Sequence, residues 1–219
     1  MEKNTCLALP VDNGRFELHH STQMPDGARG YIANAAGVTE EKIQIICRRL
    51  GGAFGGKATK NIPIGMAATL CAKKLRKPVK LVNSIGQDMM MYGNARHPMI
   101  AKYTIAADRN TGKIKAMDVT TYVDAGCSAD FSDFIAGEML ENIESVYITP
   151  NYRSTVYLLR TNTASNTAVR APGLLQAAAV TETMLDELAA SLAMDKEQIR
   201  LRNMMSAQQC TPSVSANKR

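Results

Sequence analysis

The sequence predicts a mixed α/β (α+β) fold in which mixed sheets carry packed helices. Three observations predict it: β-branched runs alternate with Ala- and Leu-rich runs of helical spacing, a strand, a glycine loop and a helix follow one another over residues 42–75, and two strand-like runs flank a turn ending in Gly112. At 219 residues the chain is one large domain or two small ones, long enough to bury a core without disulfide or metal staples.

In chain order, residues 15–21 alternate Phe16, Leu18 and His20 against Glu17 and His19, which predicts an exposed strand. Residues 28–36 are Ala-rich and stop at Gly37, a helix with a glycine end. Residues 42–47 favour a strand, and residues 64–75 place Met66, Ala67, Leu70, Cys71 and Leu75 at helical spacing. Residues 79–82 read as a short strand and residues 88–92 as a Met-rich connection. Residues 100–107 and 113–122 form a predicted hairpin about the turn 108–112. Residues 147–157 add strand material and residues 174–193 a long helix. Asp195 with Gln198 three residues later opens a last helix through Met204. Residues 206–219 carry no periodicity and read as a disordered tail.

Composition narrows the function classes. The net charge of +6 is spread along the chain, and only 5% of residues are aromatic, which argues against a nucleic-acid interface. The densest basic stretch, Lys73, Lys74, Arg76 and Lys77, falls at a helix end, where cations suit the dipole and solvent. No apolar run approaches the ~20 residues of a membrane span, and residues 1–6 lack a secretory pattern, so the expected setting is cytoplasmic. Cys6, Cys47, Cys71, Cys127 and Cys210 are too scattered for a zinc pair or a disulfide framework, and read as reduced thiols. His19 and His20 are strand neighbours that point to opposite faces, so they do not form a metal pair. No metal ligand set emerges.

The strongest local signal is Gly51-Gly52-Ala53-Phe54-Gly55-Gly56-Lys57, with four glycines in residues 51–56. Such a loop lets backbone N–H groups approach an anion closely. As a nucleotide P-loop, Gly51, Gly56 and Lys57 fit, but Ala58 stands where a magnesium-binding hydroxyl belongs. The GxGxxG dinucleotide register fails. A tight turn without a ligand is the remaining reading from local residues alone.

Motif order adds to this. Ser21-Thr22-Gln23, the glycine loop, Arg96-His97-Pro98, Val123-Asp124-Ala125-Gly126, Asn166-Thr167-Ala168-Val169-Arg170-Ala171-Pro172-Gly173 with Gln176, and Ile199-Arg200-Leu201-Arg202-Asn203-Met204 follow one another along the chain. Together they resemble the molybdenum-binding part of the aldehyde oxidase/xanthine dehydrogenase family. The resemblance covers residues 1–205 as a partial molybdopterin-binding domain, with 206–219 as the tail. It implies an oxidoreductase lineage that hydroxylates aldehydes or N-heterocycles with oxygen from water. It also implies cofactor-binding roles for Gly52, Ala53, Phe54, Gly55 and Arg170, and substrate-pocket positions at Ala58, Met139 and Pro172. Xanthine-specific members carry Glu where Ala58 stands, so the resemblance is to the aldehyde oxidase branch. Val169 and Pro172 occupy positions that are aromatic in the family.

The same resemblance places the family's catalytic glutamate base outside this chain and assigns it no catalytic residue here. It provides no iron–sulfur ligands and no FAD domain, so the chain is expected to be inactive alone. The expected partner is a complementary molybdenum-domain half or a full-length relative. A non-catalytic interaction protein that keeps the half-domain scaffold is the alternative, and a P-loop-like nucleotide binder a further one.

Overall fold

In the computed structural model, residues 2–91 and 96–207 are described. The chain divides into two compact units, Met1–Arg96 with Asn162–Arg170, and His97–Thr161 with Ala171–Arg219. Each is a sheet with helices, as the mixed α/β class requires.

The first unit holds β1 (Thr5–Val11), β2 (Arg15–His20), α1 (Pro25–Ala36), β3 (Ile43–Ile46), α2 (Ile62–Leu75), β4 (Val79–Val82) and α3 (Ile85–Met91). Its four-stranded sheet runs in the order β3-β2-β1-β4, with β2 and β3 parallel and both other pairs antiparallel. Cys6, Ala8, Phe16 and Leu18 from the sheet close on Ala28, Ile32, Ala33, Ala68 and Ala72 from α1 and α2. Alanines on these helices let them lie close to the strands, so a modest apolar content still excludes water. α1 ends as its sequence demands, on Gly37 at φ 61°. Lys73 donates to the Ala36 carbonyl at 2.6 Å, so one member of the basic stretch caps α1 rather than only facing solvent.

Two expectations are corrected here. The strand over residues 15–20 is central in its sheet, and Phe16, Leu18 and His20 are buried. The buried His20 ring accepts from Asn61 Nδ2 at 3.3 Å and donates through Nδ1 to the Thr5 carbonyl at 3.1 Å. Desolvation lowers its pKa and favours the neutral form. The Met-rich stretch is a helix, α3, held by Asp88, which is buried and accepts from the Asn4 N–H and side chain at 2.9 and 3.0 Å.

The second unit holds β5 (Met99–Ala107), β6 (Ile114–Gly126), α4 (Ser132–Asn142), β7 (Asn151–Arg160), α5 (Leu174–Leu192) and α6 (Lys196–Asn203). Its sheet runs β5-β6-β7, antiparallel then parallel. The hairpin turn is pinned by Asp108, whose Oδ1 accepts from the N–H groups of Asn110 and Thr111 and from the Thr111 hydroxyl. α5 buries Ala177, Val180, Met184, Leu185, Leu188 and Ala189. Those side chains pack on Ile114, Met117 and Val119 of β6. Asp195 caps α6 through Glu197 and Gln198 N–H at 2.9 and 3.0 Å.

The last helix is a structural rivet. Asn203 is buried, accepts from Ile114 N at 2.8 Å, and donates to the Gly112 and Ile199 carbonyls at 2.9 Å each. Arg200 reaches Glu182 and Asp186 on α5, each at 2.7 Å. The motif over residues 199–204 therefore ties α6 to the hairpin. The expected disordered tail falls mostly on residues 208–219, which lie outside the described residues, as does Cys210. Cys6, Cys47, Cys71 and Cys127 are unpaired, and among the described residues no helix is long and apolar enough to cross a membrane.

Replacing Asn203 with Leu takes the side-chain partner from the buried Ile114 N–H and from the Gly112 carbonyl, and is expected to cost about 3 kcal/mol. Asp195→Ala removes one cap and should cost about 1 kcal/mol. Urea unfolding of both variants, followed by circular dichroism, checks the ranking.

Candidate functional site

The glycine loop lies in the first unit between β3 and α2, and its shape is set by three contacts from elsewhere in that unit. Glu2 donates its N–H to the Gly51 carbonyl at 2.7 Å, and its Oε2 accepts from Gly51 N at 3.0 Å and from Lys57 Nζ at 2.9 Å. Gln23 donates its N–H to the Lys57 carbonyl at 2.8 Å, while its Oε1 accepts from Gly55 N at 3.0 Å and Lys57 N at 3.1 Å. The segment Asn162–Arg170 supplies the third contact: Arg170 N donates to the Phe54 carbonyl at 2.9 Å.

Inside the loop, Gly56 N reaches the Ala53 carbonyl at 2.9 Å and Ala58 N the Gly55 carbonyl at 3.1 Å. Phe54 sits at φ 52°, Gly52 at 88° and Gly55 at 97°, left-handed values that explain the glycine content. At Gly55 the reason is also spatial, because a Cβ there would stand 2.2 Å from the Ala168 carbonyl oxygen. A left-handed Phe is uncommon and is held only when its surroundings dictate it.

The outcome is a partition of amides. Those of Gly51, Gly55, Gly56, Lys57 and Ala58 are engaged, whereas those of Gly52, Ala53 and Phe54 make no hydrogen bond among the described residues. Three consecutive free donors sit on a loop whose every flank is fixed. Beside them Arg170 is exposed, and its guanidinium has no partner among the described residues, while Arg96 donates to the Arg170 carbonyl at 2.7 Å. The Phe54 ring is 55% exposed and Ala53 is buried. This donor set suits an oxygen-rich anion with a flat body.

Lys57 does not serve as a phosphate hand. It is fully buried, its ammonium is engaged by Glu2, and α2 begins only at Ile62. In a P-loop the lysine opens the helix and faces the ligand, so the nucleotide reading loses its main residue. The Gly51 N–H and then the Lys57 ammonium hold the Glu2 carboxyl below the usual carboxylate range. The pair is thus in place above that range and is lost as pH falls through the lowered value.

Of the pocket positions implied by resemblance, Ala58 is buried directly after Lys57 in the first unit. Met139 and Pro172 belong to the second unit. Met139 is fully buried on α4, and the half-buried Pro172 precedes Gly173, where a Cβ would lie 2.5 Å from Glu138 Cβ. Sequence reasoning does not reach Gln23 or Glu2 as site residues: Gln23 belongs to the motif Ser21-Thr22-Gln23, whereas Glu2 carries no local signal. Among the described residues, no group of three His, Cys, Asp or Glu side chains could hold a metal ion.

Comparison with known proteins gives the family. The family model of the molybdopterin cofactor-binding domain matches residues 1–204. The chain is 35% identical over 213 residues to nicotinate hydroxylase hnxS of Emericella nidulans, covering 97% of this chain and 16% of that protein. It is 34% identical over 204 residues to aldehyde oxidase 4 of Arabidopsis thaliana, covering 93% of this chain and 15% of that protein. The chain thus spans about one sixth of the curated relatives it matches. Its structure superposes on the aldehyde oxidoreductase of Desulfovibrio gigas with a TM-score of 0.82 at 25% identity, over 96% of this chain and 23% of that one. These matches, together with the loop geometry, make the chain a member of the molybdopterin cofactor-binding domain family.

Proposed function

We propose that this chain supplies the amide and guanidinium cradle of a molybdopterin site in an aldehyde-oxidase-like molybdenum hydroxylase. The observation that carries the reading is the row of free N–H groups at Gly52, Ala53 and Phe54, fixed beside the unpaired Arg170. When bound, molybdopterin supplies hydroxylation of an aldehyde or N-heterocycle with oxygen drawn from water. The residues of this chain bind and orient: the three amides donate to anionic oxygens, Arg170 adds a charge-assisted contact, and Glu2, Gln23 and Lys57 keep the donors aimed. Preorganised donors of this kind need no rearrangement when charge arrives.

Ala58 carries the branch assignment. An apolar side chain there offers no carboxylate to grip a purine, so the substrate class is an aldehyde or an apolar heterocycle. In the family the general base comes from a later region, and proton transfer by a positioned base contributes about 10²–10⁴-fold. Beyond the residues described, turnover needs that base, from a further region of the protein or a complementary molybdenum-domain half, and an electron path through iron–sulfur clusters and a flavin. A cytoplasmic setting fits the five scattered cysteines. A scaffold role as an interaction protein is the second reading. It is favoured by the row Ile100, Tyr122 and Tyr157, aligned across β5, β6 and β7, where the two tyrosines stack at 5.4 Å and Ile100 is 68% exposed.

Molybdenum and pterin content of the purified chain, alone or mixed with the complementary half of a relative, tests the cradle by mass spectrometry and metal analysis. Arg170→Ala is expected to lower retention roughly tenfold, the effect of losing one charged anchor. Neither molybdenum nor pterin in any preparation would end the cofactor reading. Gly55→Ala should cost about 2 kcal/mol or more, because the new Cβ meets a carbonyl and the backbone is left-handed. It should also abolish retention, and thermal unfolding paired with metal analysis reads both effects.

A further inference from the structure

The first unit contains a second feature, which shares Glu2 with the clamp of the cradle loop. A cavity of about 220 Å³ is lined by Glu2, Thr5, His19, His20, Ser21, Ile46, Cys47, Arg48 and Arg49. It lies where β2 and β3, a parallel pair, both end: His19 pairs with Ile46, and the chain leaves β3 directly into Cys47, Arg48 and Arg49. The carboxyl ends of parallel strands are where open α/β sheets take their ligands.

The polar groups of the wall divide into those already engaged and those available. His20 is held between Thr5 and Asn61. The Ser21 hydroxyl accepts from Thr5 N at 3.0 Å and donates to the Thr5 carbonyl, and the Cys47 thiol donates to the Thr22 carbonyl at 3.4 Å. Glu2 is the one carboxylate of the wall, and its charge is answered by Lys57 at 2.9 Å and by the Gly51 N–H. That leaves Arg48, Arg49 and His19, whose side chains make no hydrogen bond or ion pair among the described residues. Two guanidinium groups on one wall offer a dianion paired N–H donors.

We propose that this cavity is an anion site for a phosphoryl group, bound by the guanidinium groups of Arg48 and Arg49 with His19 as a further donor. Its size sets the class of ligand. Pockets for drug-sized molecules begin at about 300 Å³, so this one takes free phosphate or a small phosphate ester rather than a dinucleotide. Its donors differ from those of the cradle: they are side chains at the strand ends, whereas the cradle offers loop amides and Arg170.

Calorimetric titration of the full chain with inorganic phosphate, at constant ionic strength with chloride as the control, tests the proposal without any molybdenum cofactor. Saturable binding is expected in the wild-type chain and in Arg170→Gln. The double variant Arg48→Gln/Arg49→Gln should bind at least tenfold more weakly, with an unchanged circular dichroism spectrum. Arg48→Lys/Arg49→Lys, which keeps the charge and loses the planar fork, should fall in between. If the double Gln variant does not fold, the single Arg49→Gln variant decides by the same criterion. Glycerol 3-phosphate provides the second arm: binding tenfold tighter than inorganic phosphate identifies an ester as the ligand, and equal binding identifies the free ion. Absence of saturable phosphate binding, or binding that survives the double Gln variant and is lost in Arg170→Gln, would overturn the site.

Discussion

A fully buried lysine ammonium organises the loop of the first unit. Lys57 has no exposed surface, and its Nζ lies 2.9 Å from the Glu2 carboxylate. A charge taken out of water is tolerated only with a partner in good geometry, and removal of one partner from a buried pair typically costs about 3–5 kcal/mol. The chain therefore cannot place Lys57 inside unless residue 2 stays beside the loop. Glu2 then closes the bridge to Gly51, Gln23 grips Gly55 and Lys57, and the loop is left with one arrangement. The pair is worth more as a clamp than as a source of stability, because Glu2 keeps part of its side chain in water.

From that clamp follows the division between working and structural amides. The donors that could have closed on the loop itself at Gly52, Ala53 and Phe54 are turned away from internal partners, at the cost of a left-handed Phe54. Strain of this kind persists where surrounding contacts dictate it, here the Arg170 N–H on the Phe54 carbonyl and the Ala168 carbonyl against Gly55. Under the proposed function, the arrangement serves to receive the anionic oxygens of the cofactor. The second unit is built on a different plan, in which Asn203 and Arg200 of the last helix secure a hairpin and a long helix through polar contacts.

Much of the fold is legible in the residues wherever a side-chain period or a cap acts locally. The strand at residues 79–82, the helix over 174–192 and the Asp195 cap emerge at the predicted places because alternation, helical spacing and a short polar side chain each act over a few residues. β1 is missed because its inward positions are Cys6 and Ala8, too small to stand out, and because Pro10 interrupts its end. α4 is missed because Gly137 and its acidic residues mask a helix that tertiary packing of Ile135 and Met139 stabilises. His20 is misread as exposed because a two-residue period gives the face of a strand and not its position in the sheet. At the site, loop and Arg170 are legible as motifs, whereas the Glu2 and Gln23 clamps are contacts across 55 and 34 residues of chain that no local pattern encodes.

The central claim is that the loop is fixed with three amides free and the others engaged, and native-state hydrogen exchange followed residue by residue reads this directly. The account predicts that the amides of Gly55, Gly56 and Lys57 exchange slowly, while those of Gly52, Ala53 and Phe54 exchange near the rate of an open chain. Uniformly fast exchange over residues 51–57 would mean that the clamp does not hold the loop, and uniformly slow exchange would mean that no donors are left for a ligand; either result contradicts it.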